Sequence, residues 1–213
     1  MKKDSLANKA FIEIRKKILS QQLPANKRLK EDEWAQKLGV SRMAVREALT
    51  RLQGEDLVIL GEKGGYFIKP ILPKDVQGIR ELREILELGA IRLAVKNLSN
   101  EHFENLEKIC DDFAEMVQKQ YYNGALEADM KFHETLVGYS GNARLLSVYK
   151  LSHIPLFHQK LGSSQIGNSY YDQTDAEHRQ IIQALKEENI TLAEQTLIKH
   201  FNRHETLTFE IEE

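Results

Sequence analysis

Cysteine is nearly absent from this sequence: Cys110 is the only one in 213 residues. One thiol closes no intramolecular disulfide and cannot build a cysteine-rich zinc module, so both are excluded and a reducing cytoplasm is the expected setting. Proline is scarce, with four residues, and glycine reaches only 12, which excludes a collagenous or low-complexity chain. No apolar run approaches the roughly 18 residues of a membrane span, and the start MKKDSLANKAFIEIRKK lacks the apolar block of a signal peptide. A soluble, intracellular product with no membrane partner is expected.

Apolar residues make up 41% of the chain, enough for one large core or two small ones. The net charge of −2 conceals an asymmetry. Residues 1–70 hold 15 Lys/Arg against 9 Asp/Glu, and the remainder holds 15 against 23. A positive balance followed by a negative one suggests two modules, one of which meets a polyanion.

The first module reads as mixed. Phe11, Ile12, Ile18 and Leu19 recur at helical spacing over 7–22, and Leu23-Pro24 ends that helix. A second helix is expected over 31–38 with Trp34, Ala35 and Leu38 inward. Gly39 suits its C-cap, and Ser41 suits the N-cap of a third helix over 42–53. LVIL (57–60), the turn Glu62–Gly65 and Tyr66–Ile68 read as a two-stranded hairpin. That order is the order of a winged helix-turn-helix, expected over 1–69. Pro70 and Pro73 mark a connector, 70–74. From 75 to 213 there is no convincing strand pattern, and apolar residues recur at three and four: Ile79, Leu82, Leu86, Ala90; Phe103, Leu106, Ile109, Phe113; Leu185, Leu192, Leu197. Six or seven helices in an all-α bundle follow, making a mainly α protein. The polar stretch Gly162–Tyr171 reads as an exposed loop.

On the third helix, Val45, Ala48, Leu49 and Leu52 share an inward stripe. Arg42, Arg46 and Thr50 step along the adjacent stripe, with Met43 beside them. Two arginines near a helix N-terminus suit major-groove readout, by pairing with guanine or clamping phosphate. Lys63 and Gly64 in the hairpin turn suit an adjacent phosphate or the minor groove. The competing reading is a solvated face in which Glu47 pairs with Arg51.

The stretch LKEDEWAQKLGVSRMAVREALTRLQGEDLVILGEKGGYFI resembles the GntR-family winged-helix domain over residues 8–69. The resemblance implies operator DNA as partner, contacted by Arg42, Met43, Arg46, Thr50, Lys63 and Gly64. Ala44 stands where the family usually has proline. Asp32 stands where many relatives carry a polar or basic DNA contact, so that contact is not carried over.

All seven histidines lie in the helical part: His102, His133, His153, His158, His178, His200 and His204. Asp129 and His133 share one helix face near Phe132 and Leu136. His178 shares a stripe with Ile181, Ile182 and Leu185, and His200 one with Ala193 and Leu197. A buried carboxylate and buried imidazoles need partners, and one metal ion would satisfy all four. Core histidines bonded to neighbours and an Asp129–His133 ion pair are the alternatives, and His204, His153 and His158 are rival ligands on spacing alone.

Asp129-Met-Lys-Phe-His133-Glu-Thr-Leu, Ser140-Gly141-Asn142, Glu177-His178-Arg179-Gln180-Ile181 and Ala193 with His200 seven residues on resemble the FCD ligand-binding domain of the FadR subgroup, over 75–210. The resemblance implies a metal held by Asp129, His133, His178 and His200 rather than His204, and makes a fatty acyl-CoA effector unexpected. Arg83 in Arg83-Glu-Ile-Leu-Glu87 matches the family arginine that meets an effector carboxylate; a surface ion pair is the alternative. The expectation is a cytoplasmic, homodimeric, non-enzymatic regulator, by default a repressor. It would hold zinc or nickel, with manganese or iron also compatible, and a small organic acid or sugar acid. No heptad seam marks the dimer interface. A metal sensor and a metal-dependent enzyme, with Glu87 or Glu134 as base, are the rival classes.

Overall fold

The structure is a computed structural model that describes residues 5–19, 22–70, 72–152 and 167–210. The chain forms two compact units, Met1–Leu72 and Pro73–Glu213.

The first unit contains α1 (Leu6–Leu19), β1 (Arg28–Leu29), α2 (Glu31–Leu38), α3 (Arg42–Gly54), β2 (Val58–Leu60) and β3 (Tyr66–Ile68). The α1 face that packs on α3 is Ala7, Ala10, Ile14 and Ile18, a stripe spaced three, four and four. Of the residues expected inward, only Ile18 is buried; Ile12 is exposed, and Phe11 lies under the Arg51 guanidinium, 3.9 Å from its ring centre. Gln22 and Leu23 form a bend instead of continuing the helix to 22. The α2 bounds are those expected. Gly39 at φ 64° bonds back to the carbonyls of Ala35 and Gln36, a left-handed cap that glycine adopts without strain. Ser41 Oγ accepts the Ala44 N–H at 3.1 Å and starts α3, which buries Ala44, Val45, Ala48, Leu49 and Leu52.

The expected hairpin is a three-stranded antiparallel sheet in the order β1-β3-β2, with Phe67 paired to Arg28 on one side and Ile59 on the other. Two-residue β1 is too short to show an alternating pattern in sequence.

The second unit, among the described residues, is six helices: α4 (Pro73–Ala94), α5 (Asn100–Gln118), α6 (Tyr122–Tyr139), α7 (Ala143–Leu151), α8 (Asn168–Lys186) and α9 (Ile190–Glu210). Pro73 opens α4, where its missing N–H costs no hydrogen bond, so residues 73 and 74 of the expected connector are helical. Of the expected loop 162–171, residues 168–171 already belong to α8 and Tyr171 is buried; 162–166 lie outside the described residues. Ser99 and His102 form a capping box on α5, which commits that histidine to the helix end. Helix α5 packs on α6 and α8, α4 packs on α6 and α9, and α8 packs on α9. Their shared core includes Ile91, Leu106, Phe132, Leu136, Ile181 and Leu197. Leu82, expected inward, is exposed. The stripe that α4 buries is Arg83, Glu87, Ala90, Ile91 and Ala94, so two charged residues occupy core positions.

Candidate metal centre and nucleic-acid interface

Asp129 and His133 lie one turn apart on α6, with His178 on α8 and His200 on α9, and all four are buried. One ligand atom from each lies within 4.8 Å of the others. His133 Nε2 is 3.2 Å from both His178 Nε2 and His200 Nε2. Asp129 Oδ1 is 3.2 Å from His178 Nε2, 3.7 Å from His133 Nε2 and 3.8 Å from His200 Nε2.

The outer ring nitrogens fix what those inner atoms can do. His133 Nδ1 is 2.6 Å from Glu87 Oε2, and His200 Nδ1 is 3.0 Å from Glu177 Oε2. A carboxylate only accepts, so each Nδ1 carries the hydrogen and each neutral ring turns a bare Nε2 inward. The 3.2 Å approach of these two Nε2 atoms is then not a hydrogen bond between neutral rings; it places lone pair against lone pair. A cation resolves that conflict. Around an ion with bonds of about 2.1 Å, adjacent ligand atoms are separated by about 3.0–3.4 Å; the 3.2 Å spacings fit, while Asp129 Oδ1 stands wider, at 3.7 and 3.8 Å from His133 and His200. One carboxylate and three imidazoles suit a borderline divalent ion.

Burial and the neighbouring charges act on two of these imidazoles in opposite senses. Burial and Arg83 push the His133 imidazole down, but Glu87 and Asp129 outweigh them and raise it overall. Burial depresses His178, although Asp129 opposes the shift.

Two supporting chains mirror each other. Glu87 Oε1 accepts from Arg83 Nε at 2.7 Å and from Tyr149 OH at 2.8 Å, and Arg83 lies over Phe201 at 4.5 Å. Burial would raise Glu87, yet His133 and Arg83 hold it at about 2. On the other side, Glu177 Oε2 accepts from Arg203 Nη2 at 2.6 Å, and Arg203 lies over Tyr170 at 4.3 Å. The third imidazole, His178, stacks on Phe132 with ring centres 4.1 Å apart.

The four expected ligands thus come together, and Arg83 belongs to their network as a fully buried partner of Glu87, not as half of a surface ion pair. The roles of Glu87 and Glu177 as histidine supports, with Tyr149 and Arg203 behind them, go beyond the sequence reading. The signals for them are an Arg–Glu pair four apart on a stripe that continues into Ala90 and Ile91, and a glutamate directly before His178. His153 and His158 lie outside the described residues, as does the His204 side chain.

In the first unit, Arg42, Arg46 and Met43 stand on the outer face of α3, with the two arginine side chains 58% and 50% exposed. Glu31, the first residue of α2, holds both. Its Oε2 accepts from Arg42 Nε at 2.7 Å, and its two oxygens accept from Arg46 Nε and Nη2 at 2.8 and 3.0 Å. Those bonds, from Arg46 first and then Arg42, lower the Glu31 carboxyl. Asp32 adds a 3.4 Å contact to Arg42 Nη1. Thr50 Oγ1 donates to the Arg46 carbonyl at 3.0 Å and lies 2.9 Å from Tyr66 OH on β3, which ties the helix to the sheet. The wing turn closes through Gly61 N–H to Gly65 O (2.9 Å) and Gly64 N–H to Gly61 O (2.8 Å), leaving Lys63 and Gly64 exposed at its tip. Arg51 bonds Asn8 and covers Phe11 instead of pairing along α3 with Glu47. A cleft of about 290 Å³ opens among Arg28, Lys30, Glu31, Asp32, Arg42 and Arg46.

A winged reader with exposed arginines and a helical bundle with a metal-competent core define a DNA-binding transcriptional regulator. Residues 6–68 match the family "Bacterial regulatory proteins, gntR family" and residues 78–203 match the FCD domain, and the chain belongs to the GntR family of regulators that carry this domain. It is 29% identical over 198 residues to the HTH-type transcriptional regulator YdhC of Bacillus subtilis, across 90% of this chain and 86% of that protein. It is 28% identical over 179 residues to the "Probable D-xylose utilization operon transcriptional repressor" of Paenarthrobacter nicotinovorans, across 84% of this chain and 77% of that one. The solved structure of E. coli McbR/YncC superposes with a TM-score of 0.85 over 99% of this chain and 100% of that chain at 17% identity, a likeness of fold. Among the described residues no helix is long and apolar enough to cross a membrane.

Proposed function

We propose that this chain is a cytoplasmic repressor whose hold on operator DNA is set by a small organic or sugar acid bound at a divalent metal in its FCD domain. The observation that carries the reading is the pair of carboxylate-anchored imidazoles, His133 and His200, turned Nε2 to Nε2 at 3.2 Å beside Asp129 and His178. Asp129, His133, His178 and His200 would hold zinc or nickel, with manganese or iron as alternatives; the bound ion would supply open positions for an effector carboxylate. Arg83, whose charge acts on both Glu87 and Asp129, would offset the charge of that acid. Residues 1–69 would read the operator through Arg42, Met43, Arg46, Thr50, Lys63 and Gly64, with the sensor beginning at Pro73.

A homodimer would match a two-fold operator. Supporting it, α4 leaves Leu82, Ile85 and Leu93 exposed on one stripe, Ile85 at 68%, with Gly78 and Gly89 open beside them. The non-enzymatic reading rests on the two candidate bases. Glu87 is engaged by Arg83, Tyr149 and His133, and a carboxyl held at about 2 is a poor base near neutrality. Glu134 lies at the surface against Lys150.

A thermal-shift panel of small carboxylates, with and without chelator, tests the reading. Stabilisation that vanishes on chelation, and in Asp129→Ala and His178→Ala, is expected. Carboxylate stabilisation that survives chelation removes the metal from the switch. Metal alone releasing DNA would instead make the chain a metal sensor.

A further inference from the structure

The Glu31 carboxylate is the shared acceptor for both reader arginines, and helix formation alone does not require it there. Its side chain is 13% exposed, on the floor of the cleft lined by Arg28, Arg42 and Arg46. An acidic first turn complements a helix dipole, but Glu33 sits in the same turn and pairs with Lys30 at 2.6 Å instead. What separates Glu31 is its geometry. Arg46 gives it the Nε–Nη2 edge, so the Nη1 end of the fork remains to point outward. Arg42 gives it Nε while its Nη1 meets Asp32 Oδ1 at 3.4 Å, so the two carboxylates fix which way the fork faces. Guanine O6 and N7 are read by such a fork, in one orientation. Phosphates attract a guanidinium by charge from any side, and the carboxylate beneath both arginines cancels part of that charge.

We propose that Glu31 is the specificity-determining residue of the reader: it fixes the orientation in which Arg42 and Arg46 meet bases and weakens their attraction for DNA of arbitrary sequence. The inference rests on the reading that these arginines contact the operator. A neutral glutamine in place of Glu31 would free both side chains to swing onto backbone phosphates. Discrimination would fall although binding overall grows stronger.

The full-length protein is used to select duplexes from a randomised library, and the enriched duplex and a scrambled one of equal length then serve as probes in anisotropy titrations over a range of salt. For Glu31→Gln, affinity for the scrambled duplex rises, its log–log salt slope steepens by about one, and the enriched-to-scrambled ratio falls by about 5- to 50-fold. Glu33→Gln removes the same charge from the same turn and leaves the ratio unchanged. Glu31→Asp keeps the charge but is one methylene short of spanning both arginines, so the ratio drops without the steeper slope; this variant decides the matter should Glu31→Gln fail to fold. A Glu31→Gln protein that keeps the wild-type ratio overturns the role of Glu31 alone. Equal loss on both duplexes at an unchanged slope also overturns it, since that marks a merely structural residue. A wild-type protein that enriches no sequence removes the reader-arginine reading and this role with it.

Discussion

Guanidinium and carboxylate meet in both units of this chain, in opposite surroundings. On α3 the pairs of Arg42 and Arg46 with Glu31 lie at the surface, where water and salt screen them and such a pair contributes about 0–1 kcal/mol. In the bundle, Arg83–Glu87 is fully buried and Arg203–Glu177 nearly so, where removing one partner strands the other's charge. The same chemistry is therefore exchangeable in one place and permanent in the other. On the proposed reading, the exposed pairs aim their arginines at DNA, whereas the buried pairs hold the imidazoles still.

Breaking the buried side has the largest expected effect. Glu87→Ala strands Arg83 and frees His133, and about 3–5 kcal/mol of stability should be lost in denaturant titration. Acid sharpens the same point. A carboxyl lowered from 4.5 to about 2 on folding contributes stability that is present above pH 4.5 and disappears as pH falls toward 2. Glu87→Gln should lack that component of the acid profile, and a profile superimposable on wild type would show the pair to be inert.

On the opposite side of the centre, Glu177→Gln keeps the shape but weakens the anchor of His200. Metal affinity measured by chelator competition should drop about 10- to 100-fold, with the helical content intact. At the exposed pair, Arg46→Ala should cost about 1–3 kcal/mol of operator binding while the unfolding free energy stays within about 0.5 kcal/mol of wild type. A large stability loss there would erase the contrast between the two regions. Smallest of all, Met43→Ala removes a side chain that is 67% exposed and should leave stability within about 0.5 kcal/mol, with any change confined to DNA titrations.

Local rules account for much of this architecture. Gly39 and Ser41 cap α2 and α3 as their chemistry dictates, and helical periodicity alone puts Asp129, His133, His178 and His200 on inward stripes. What escapes those rules is decided by tertiary packing. That Arg83 and Glu87 are buried against each other is hidden in sequence because charge at helical spacing is normally outward, and only the surrounding helices make that stripe a core. Ala7 and Ala10 displace Phe11 and Ile12 from the α1 interface because small side chains let α3 approach closely. Glu31 carries no signal in sequence, since its two partners lie 11 and 15 residues away on another helix. The α8 start at Asn168 is hidden by a polar first turn that resembles loop composition.

Helix α4 is one uninterrupted rod from Pro73, and Glu87, fourteen residues in and about 21 Å along its axis at 1.5 Å per residue, ties it to His133 and Tyr149. That contact is where α4 is tied most firmly into the bundle. A tilt of about 5° around that point would move the helix's opening turn by about 2 Å.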